Sequence, residues 1–182
     1  MAAYLVLVLA ILSRMLPHVF HATGVGFTAV GGGLLYFGAR RSRWHWMVAV
    51  LTLMATDFYL TVYAYGYAFH VSEYVATWAW YGAACWLGYA ALARKVSGVR
   101  LVAAVVASTT SFFLLSNFVV WMASGMYPRT GAGLGACYVA GLPFYANDAI
   151  STGLVAGALF GLPALARDIA ASVGSLRDEP YA

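Results

Sequence analysis

Charged side chains are scarce in this sequence. They make up 9% of its residues, whereas 63% are hydrophobic, and a soluble domain carries about 25% charged residues. So few charges cannot cover a surface that faces water, which excludes a soluble globular domain and predicts that lipid surrounds the chain. The net charge of +4 does not indicate a nucleic-acid partner, because the basic residues lie at the ends of the apolar segments.

The sequence also lacks the short motifs of common enzyme active sites. It contains no G-x-S-x-G, no H-E-x-x-H, no Walker A motif and no pair of carboxylates at catalytic spacing. The run Gly31-Gly32-Gly33 is no phosphate-binding loop, because no lysine follows it and it lies within an apolar segment. We therefore predict that the protein is not an enzyme. Since there is no nucleotide-binding part, we expect ATP-driven uptake to need a partner.

Cysteine and histidine are few. The two cysteines, Cys85 and Cys137, form no disulfide framework. The candidate metal ligands are His18 and His21, three residues apart, and Cys137, a soft axial ligand if the ligand were a cobalt corrinoid. A structural zinc site takes four ligands, and no denser cluster accompanies these three. We therefore predict no metal site, and the sequence identifies no cofactor.

Long apolar runs are what the sequence does contain. A membrane-spanning helix needs about 20 mostly apolar residues, and six segments meet or approach that length. They predict an all-α integral membrane protein, with one transmembrane domain over 1–182 formed by a six-helix bundle. The predicted spans are 2–16, 23–39, 44–63, 74–93, 99–123 and 149–166. Between the last two spans we predict a long outward loop, 124–148, and after them a cytoplasmic tail, 167–182.

Basic residues alternate between the predicted connections. They concentrate at 40–43, 94–100 and 167–177, whereas the other three connections hold almost none. Cytoplasmic loops carry the excess of lysine and arginine, so we expect both termini in the cytoplasm. This predicts a multi-pass protein of the bacterial cytoplasmic (inner) membrane. The polar residues of 17–22, 64–73 and 124–148 then face outward, as in a binding site that opens to the outside.

Asp57 is a carboxylate within a predicted span. Such a residue is costly in lipid and is by default a functional candidate. The alternative is a buried structural pair, for which Arg14 is the obvious partner, since both lie towards the outer side. Both readings hold if the pair forms the floor of a pocket.

The predicted outward loop is rich in polar and aromatic residues, and we predict that it closes over a small ligand as a lid. Arg129 would pair with a carboxylate or phosphate of that ligand, because its fork binds two oxygens at once. Aromatic residues near the second outward connection form either an interfacial belt or a wall against a flat ligand. The predicted ligand-binding residues are Asn117, Trp121, Tyr127, Arg129, Asn147, Asp148, Trp80, Tyr81 and His70.

Several motifs resemble a family of small uncharacterised bacterial six-helix membrane proteins that are described as transporters. The early motifs are S-R-M-L-P-H at 13–18, G-F-T-A-V-G at 26–31 and T-D at 56–57. Gly26 and Ala29 depart from the family pattern, which has asparagine and proline there. The later matches are Ser116, Asn117, Phe118, Trp121, Tyr127, Pro128, Thr130, Gly133, Cys137, Tyr138, Ala140, Leu142, Pro143, Phe144 and Asn147.

That family is in turn similar to the substrate-binding S components of energy-coupling factor (ECF) vitamin transporters. The resemblance implies six helices, cytoplasmic termini and a ligand site roofed by the first, third and fifth loops. It also implies uptake of a vitamin or cofactor precursor, with a corrinoid among the candidates, and an energising module of ATPase and transmembrane subunits as partner.

Two other classes of function remain open. The histidines and the 16% aromatic content fit an accessory or structural subunit of a larger membrane complex that holds a pigment, haem or quinone. An optical spectrum of the purified protein would reveal a pigment or haem. An intramembrane enzyme has only Asp57 and the histidines in its favour.

Overall fold

Helices account for nearly all of the described chain. The computed structural model describes residues 1–19 and 27–177. At residues 16–19, 43 and 173–177 it describes the backbone but not the side chains. These ranges contain six α-helices and no strand, so the predicted all-α fold is confirmed. The helices are α1 (Ala2–Val19), α2 (Val30–Arg40), α3 (Trp46–Tyr59), α4 (Val71–Leu92), α5 (Gly98–Ala123) and α6 (Gly131–Arg177). A 3₁₀ turn, Arg43–His45, precedes α3, and a π-helical turn, Leu60–Ala64, continues it.

Consecutive helices run in opposite directions. Along α3 and α4, Asp57 contacts Trp78 and Thr61 contacts Tyr74, so the numbering rises on one helix and falls on the other. The connections 41–45 and 93–97 therefore lie at the same end of the bundle, which we call the basic end because Arg40, Arg41, Arg94 and Lys95 cluster there. The connections 65–70 and 124–130 lie at the opposite end.

The short helix α2 occupies the centre of the bundle. Nine of its 11 residues are buried, and it contacts α1, α4 and α6. A Cβ added at Gly38 would overlap the carbonyl oxygen of Cys85, and one at Gly88 would overlap that of Leu35. Small residues permit this close backbone approach between helices in lipid, which explains the glycines at positions 38 and 88.

Within the described part of the chain, three helical stretches are long and apolar enough to cross a membrane: Trp46–Ala64, Gly98–Ala123 and Gly131–Ser172. The apolar stretch Ala2–Met15 is shorter. At 11 residues, α2 is shorter than the about 20 that a crossing needs, and residues 20–26 before it lie outside the described part. The chain is thus a helical protein of membrane type. Six crossings of the membrane are a proposal.

The predicted outward loop 124–148 is wrong for most of its length. Helix α6 begins at Gly131, so only 124–130 connects it to α5, and 131–148 is helical rather than a lid. Thr130 starts the helix by accepting a hydrogen bond from the Gly133 backbone N–H at 3.1 Å. Tyr145 then packs on Phe113 of α5, with ring centroids 5.0 Å apart. In apolar surroundings the helix satisfies backbone groups that a loop would leave unpaired.

The other end of α6 also extends past the prediction. The helix has 47 residues, which is about 70 Å at 1.5 Å per residue and more than twice the roughly 30 Å of a bilayer core. The predicted last span 149–166 is therefore an inner piece of α6. The predicted tail 167–182 continues the same helix as far as Arg177, and 178–182 lie outside the described residues.

Candidate functional site

An ion pair joins two helices near the end opposite the basic end. Arg14 on α1 and Asp57 on α3 meet with 2.5 Å between Nη2 and Oδ1. The indole Nε1 of Trp78 donates to the other carboxylate oxygen at 2.9 Å, and Nη1 of Arg14 donates to the Tyr81 hydroxyl at 3.2 Å. Asp57 is 2% exposed. The predicted pairing is thus confirmed, and both oxygens of this buried carboxylate have a partner.

A cavity of about 320 Å³ lies beside this pair. We call it the central cavity. Its size falls near the lower limit of small-ligand pockets, which range from about 300 to 1,000 Å³, and each of the six described helices contributes to its wall. The lining residues are Arg14, Thr28, Val30, Gly31, Asp57, Glu73, Tyr74, Thr77, Trp80, Tyr81, Phe112 and Asp148.

The charges that line the central cavity do not balance. One guanidinium, that of Arg14, faces three carboxylates, those of Asp57, Glu73 and Asp148. Arg14 already pairs with Asp57. Oδ1 of Asp148 accepts a long hydrogen bond of 3.5 Å from Thr152, and its buried Oδ2 has no partner among the described residues. An unsatisfied buried acceptor is costly, so this oxygen is placed to receive a donor from a bound molecule.

Aromatic rings form much of the cavity wall. Trp80 and Tyr81 are 5% and 4% exposed, and Phe112 packs on Trp80 with centroids 4.5 Å apart. Nε1 of Trp80 donates to the carbonyl of Ser108 and the hydroxyl of Ser111, both at 3.2 Å, which fixes the ring. Trp80 and Tyr81 line the cavity, as the interpretation of a wall against a ligand predicts, whereas Tyr63 and Tyr67 are about 70% exposed.

We place the mouth of the cavity at the first turn of α4, because Glu73, which lines the cavity, is exposed there. A second cavity of about 140 Å³ between α4 and α5 shares Glu73, Thr77 and Phe112 with the first. The π-helical turn that follows Asp57 also lies near this end, with the Thr61 and Tyr74 hydroxyls 2.6 Å apart. Such turns occur frequently at functional sites.

A family profile matches residues 1–173, nearly the whole chain. The chain belongs to DUF6580, a family of unknown function. No curated protein and no solved structure matches it. Membership in DUF6580 therefore assigns no activity to the chain.

Two residues of this DUF6580 protein that were predicted to bind ligand, Asn117 and Tyr127, line a different cavity together with Cys137, a candidate metal ligand. Asn117, Tyr127 and Cys137 border a space of about 310 Å³ between α5 and α6. Nδ2 of Asn117 donates to the Phe113 carbonyl at 2.9 Å, and Sγ of Cys137 donates to the Asn117 carbonyl at 3.3 Å. Asn117 also lies against Gly141, where a Cβ would overlap its side chain. The contacts of Asn117 with Cys137 and Gly141 connect the two helices, and the described residues place no cluster of metal ligands around Cys137.

Other predicted site residues secure local structure. Nε1 of Trp121 donates to the Pro128 carbonyl at 2.9 Å, and Nη2 of Arg129 donates to the Met122 carbonyl at 3.0 Å. Both contacts hold the 124–130 connection on the end of α5. Asn147 is exposed on α6, and His70 is exposed just before α4. None of these four lines the central cavity, so the prediction that Arg129 meets the ligand is not supported by its position.

Two of the three candidate metal ligands cannot be placed among the described residues. The side chain of His18 and the whole of His21 lie outside the described residues. Cys85 and Cys137 are free and buried. Within the described part of the chain, no group of three or more histidine, cysteine, aspartate or glutamate side chains is placed to hold a metal ion.

The site prediction included Trp80 and Tyr81 but missed three other residues on the same face of α4. Glu73, Tyr74 and Thr77 line the central cavity together with Trp80 and Tyr81. Their positions i, i+1, i+4, i+7 and i+8 fall on a single face of a helix, so the spacing was readable from the sequence. Thr28, Val30, Gly31 and Phe112 were also missed, and no sequence signal distinguishes them from other apolar or small residues nearby.

Proposed function

We propose that this protein is a transport protein that binds a small ligand in the central cavity, for uptake from the side opposite the basic end. The observation that carries the proposal is the cavity itself: a space of about 320 Å³ lined by four charged residues within a bundle of apolar helices. Charged residues inside membrane segments are rare and mark substrate and ion pathways.

The arrangement gives binding a physical route to conformational change. Each of the six described helices supplies a lining residue. A ligand that contacts the whole wall therefore affects the position of every helix. The Arg14–Asp57 pair fixes the floor, because both partners are already oriented before a ligand arrives. Enclosure by helices replaces the loop lid that the sequence had suggested.

The finer assignment extends this proposal. Six crossings with both termini in the cytoplasm of a bacterium would place the basic end inside and the cavity mouth outside, as the positive-inside rule favours. A role like that of an ECF S component, with a vitamin or cofactor precursor as ligand and an energising ATPase module as partner, agrees with an outward-opening cavity in a small helical bundle.

A specific observation supports the second class of function, an accessory subunit of a larger membrane complex. An apolar groove of about 400 Å³ lies on the outer surface of α3 and α4, and Trp86 in it is 63% exposed. A flat apolar ring, such as that of a quinone, fits such a surface. The groove is lined by Trp46, Trp78, Ala79, Gly82, Ala83 and Trp86.

Native mass spectrometry of the protein purified from its own host, in mild detergent, tests both proposals with a matched pair of variants. Thr77→Trp places an indole in the central cavity, whereas Ala79→Trp adds the same ring two residues away, in the surface groove. We expect a co-purified small molecule on the wild type and on Ala79→Trp, and none on Thr77→Trp.

The reverse pattern, in which the molecule is lost only from Ala79→Trp, would favour the accessory subunit. Equal occupancy in Thr77→Trp and wild type, or an empty wild type, would contradict binding in the central cavity. Monodisperse elution of both variants from size-exclusion chromatography serves as the control for folding.

A further inference from the structure

The cavity wall also indicates the charge of its ligand, an inference that rests on the proposed function. Among the described residues that line the cavity, Arg14 is the single basic one. One of its terminal nitrogens is 2.5 Å from the Asp57 carboxylate and the other donates to Tyr81. Its charge is therefore already neutralised, and an anionic ligand would have to compete with a buried carboxylate for the same guanidinium.

Apart from Asp57, which pairs with Arg14, two carboxylates line the cavity: those of Asp148 and Glu73. The Asp148 side chain has one weakly bonded oxygen and one buried oxygen without a partner in the described chain. Glu73 stands at the mouth of the cavity. The potential inside a low-dielectric space with this charge balance is negative, and such a potential attracts and concentrates cations.

The neutral part of the wall suits an organic cation rather than a metal ion. Tyr74, Trp80, Tyr81 and Phe112 present aromatic rings to the cavity. Ring faces attract ammonium groups, most strongly at tryptophan, and the attraction grows when the site is desolvated. A bare inorganic cation would leave most of the about 320 Å³ unfilled.

We propose that the central cavity binds an organic cation, with its charged nitrogen at Asp148 and Glu73 and its apolar part against the rings of Tyr74, Trp80 and Phe112. The positive charge of the cation compensates the Asp148 carboxylate, whose buried Oδ2 has no partner among the described residues. Hydrogen bonds or ion contacts to a charged group contribute more than those between neutral groups.

Three small probes of the same branched shape separate charge from fit: choline, its neutral isostere 3,3-dimethylbutan-1-ol, and the anion 3,3-dimethylbutanoate. Isothermal titration calorimetry of the detergent-solubilised protein measures the three dissociation constants. We expect choline to bind about tenfold more tightly than the alcohol, given the usual strength of a cation–π and charge contact, and the anion to bind least.

Variants assign that preference to Asp148. Asp148→Asn keeps the size of the side chain and is expected to weaken choline about tenfold while leaving the affinity for the alcohol unchanged. Asp148→Glu keeps the charge and retains the preference, which separates a loss of charge from a failure to fold. Asp168→Asn is the matched control, since Asp168 is exposed on the same helix and does not line the cavity.

The inference would be overturned if choline did not bind, or if the alcohol or the anion bound as tightly as choline. It would also be overturned if Asp148→Asn bound choline with unchanged affinity. These failures are distinguishable from a failure of the proposed function. If the co-purified molecule is lost from Thr77→Trp, the cavity still binds a ligand and only its assignment as a cation falls. If the wild type carries no such molecule, the proposed function itself falls.

Discussion

Removing one partner of the Arg14–Asp57 pair should destabilise the protein strongly. Asp57 is 2% exposed and accepts hydrogen bonds from Arg14 at 2.5 Å and Trp78 at 2.9 Å. Asp57→Ala leaves the guanidinium with the Tyr81 hydroxyl as its remaining partner in the pair's network. Breaking a buried pair on one side costs about 3–5 kcal/mol, because the other charge stays buried without compensation.

The side chain of Arg14 is 20% exposed, so Arg14→Ala should fall at the lower end of that range or somewhat below it. The two losses should not add. Once one charge is gone, removing the other relieves an unpaired buried charge, and residues in direct contact show coupling energies of about 0.5–3 kcal/mol. We expect the double variant to be more stable than the sum of the single variants predicts.

The assay is reversible unfolding of the four proteins in detergent, followed by tryptophan fluorescence and circular dichroism. Trp78→Phe is a useful control, because it removes a hydrogen bond to Asp57 but no charge, and should cost about 1–3 kcal/mol. A coupling energy of zero between Arg14→Ala and Asp57→Ala would refute the direct pair, whatever the size of the single effects.

Two further predictions follow from the packing and the charge pattern. Gly88→Ala places a Cβ against the Leu35 carbonyl and should lower the free energy of unfolding by about 1–3 kcal/mol through overpacking. At Gly157 an added Cβ would meet no neighbouring atom within 4 Å, so Gly157→Ala should be neutral or slightly stabilising in the same unfolding assay. Cysteines at positions 42 and 97, in a protein without its native cysteines, should react with a membrane-impermeant thiol reagent only after the cells are permeabilised, because both sites lie at the basic end. Strong labelling of either position in intact cells would reverse the orientation.

The features that could be predicted from the sequence are those that depend on the high energetic cost of placing a charge in lipid. A carboxylate within an apolar segment requires a partner, and Arg14 was the basic residue at the corresponding depth, so the pair with Asp57 was predictable. The bounds of α3, α4 and α5 also lie within a few residues of the predicted spans. In each case a long apolar run ends at glycine, serine or basic residues.

The prediction of a loop was wrong because glycine and proline have a different effect on the backbone in apolar surroundings than in water. Glycines and Pro143 between Gly131 and Asp148 would favour a loop in water, but α6 contains that proline within the helix. Backbone groups that water would satisfy must pair internally in lipid. Thr130, which caps the start of α6, was the local signal that pointed to a helix.

The site residues on the last two helices were assigned by proximity to the predicted loop, and that choice explains most of the errors. Asp148 reaches the central cavity because it lies several turns into α6, level with Arg14, whereas Asn117 lies level with Gly141 and faces another space. Phe112 could not be predicted, because the apolar residues of α5 are spread around the helix without one dominant face, and packing decides which face points inward.

The most direct test of the account is the accessibility of the central cavity to a polar reagent. A single cysteine at Thr77, in a protein whose Cys85 and Cys137 are replaced, should react with an impermeant thiol reagent in intact cells, since the cavity opens opposite the basic end. The co-purified small molecule should protect it. A cysteine at Ala79, on the outer surface of the same helix, should react slowly and without protection. An unreactive Thr77→Cys in intact cells, or equal rates at the two positions with and without the molecule, would contradict an outward-opening ligand site.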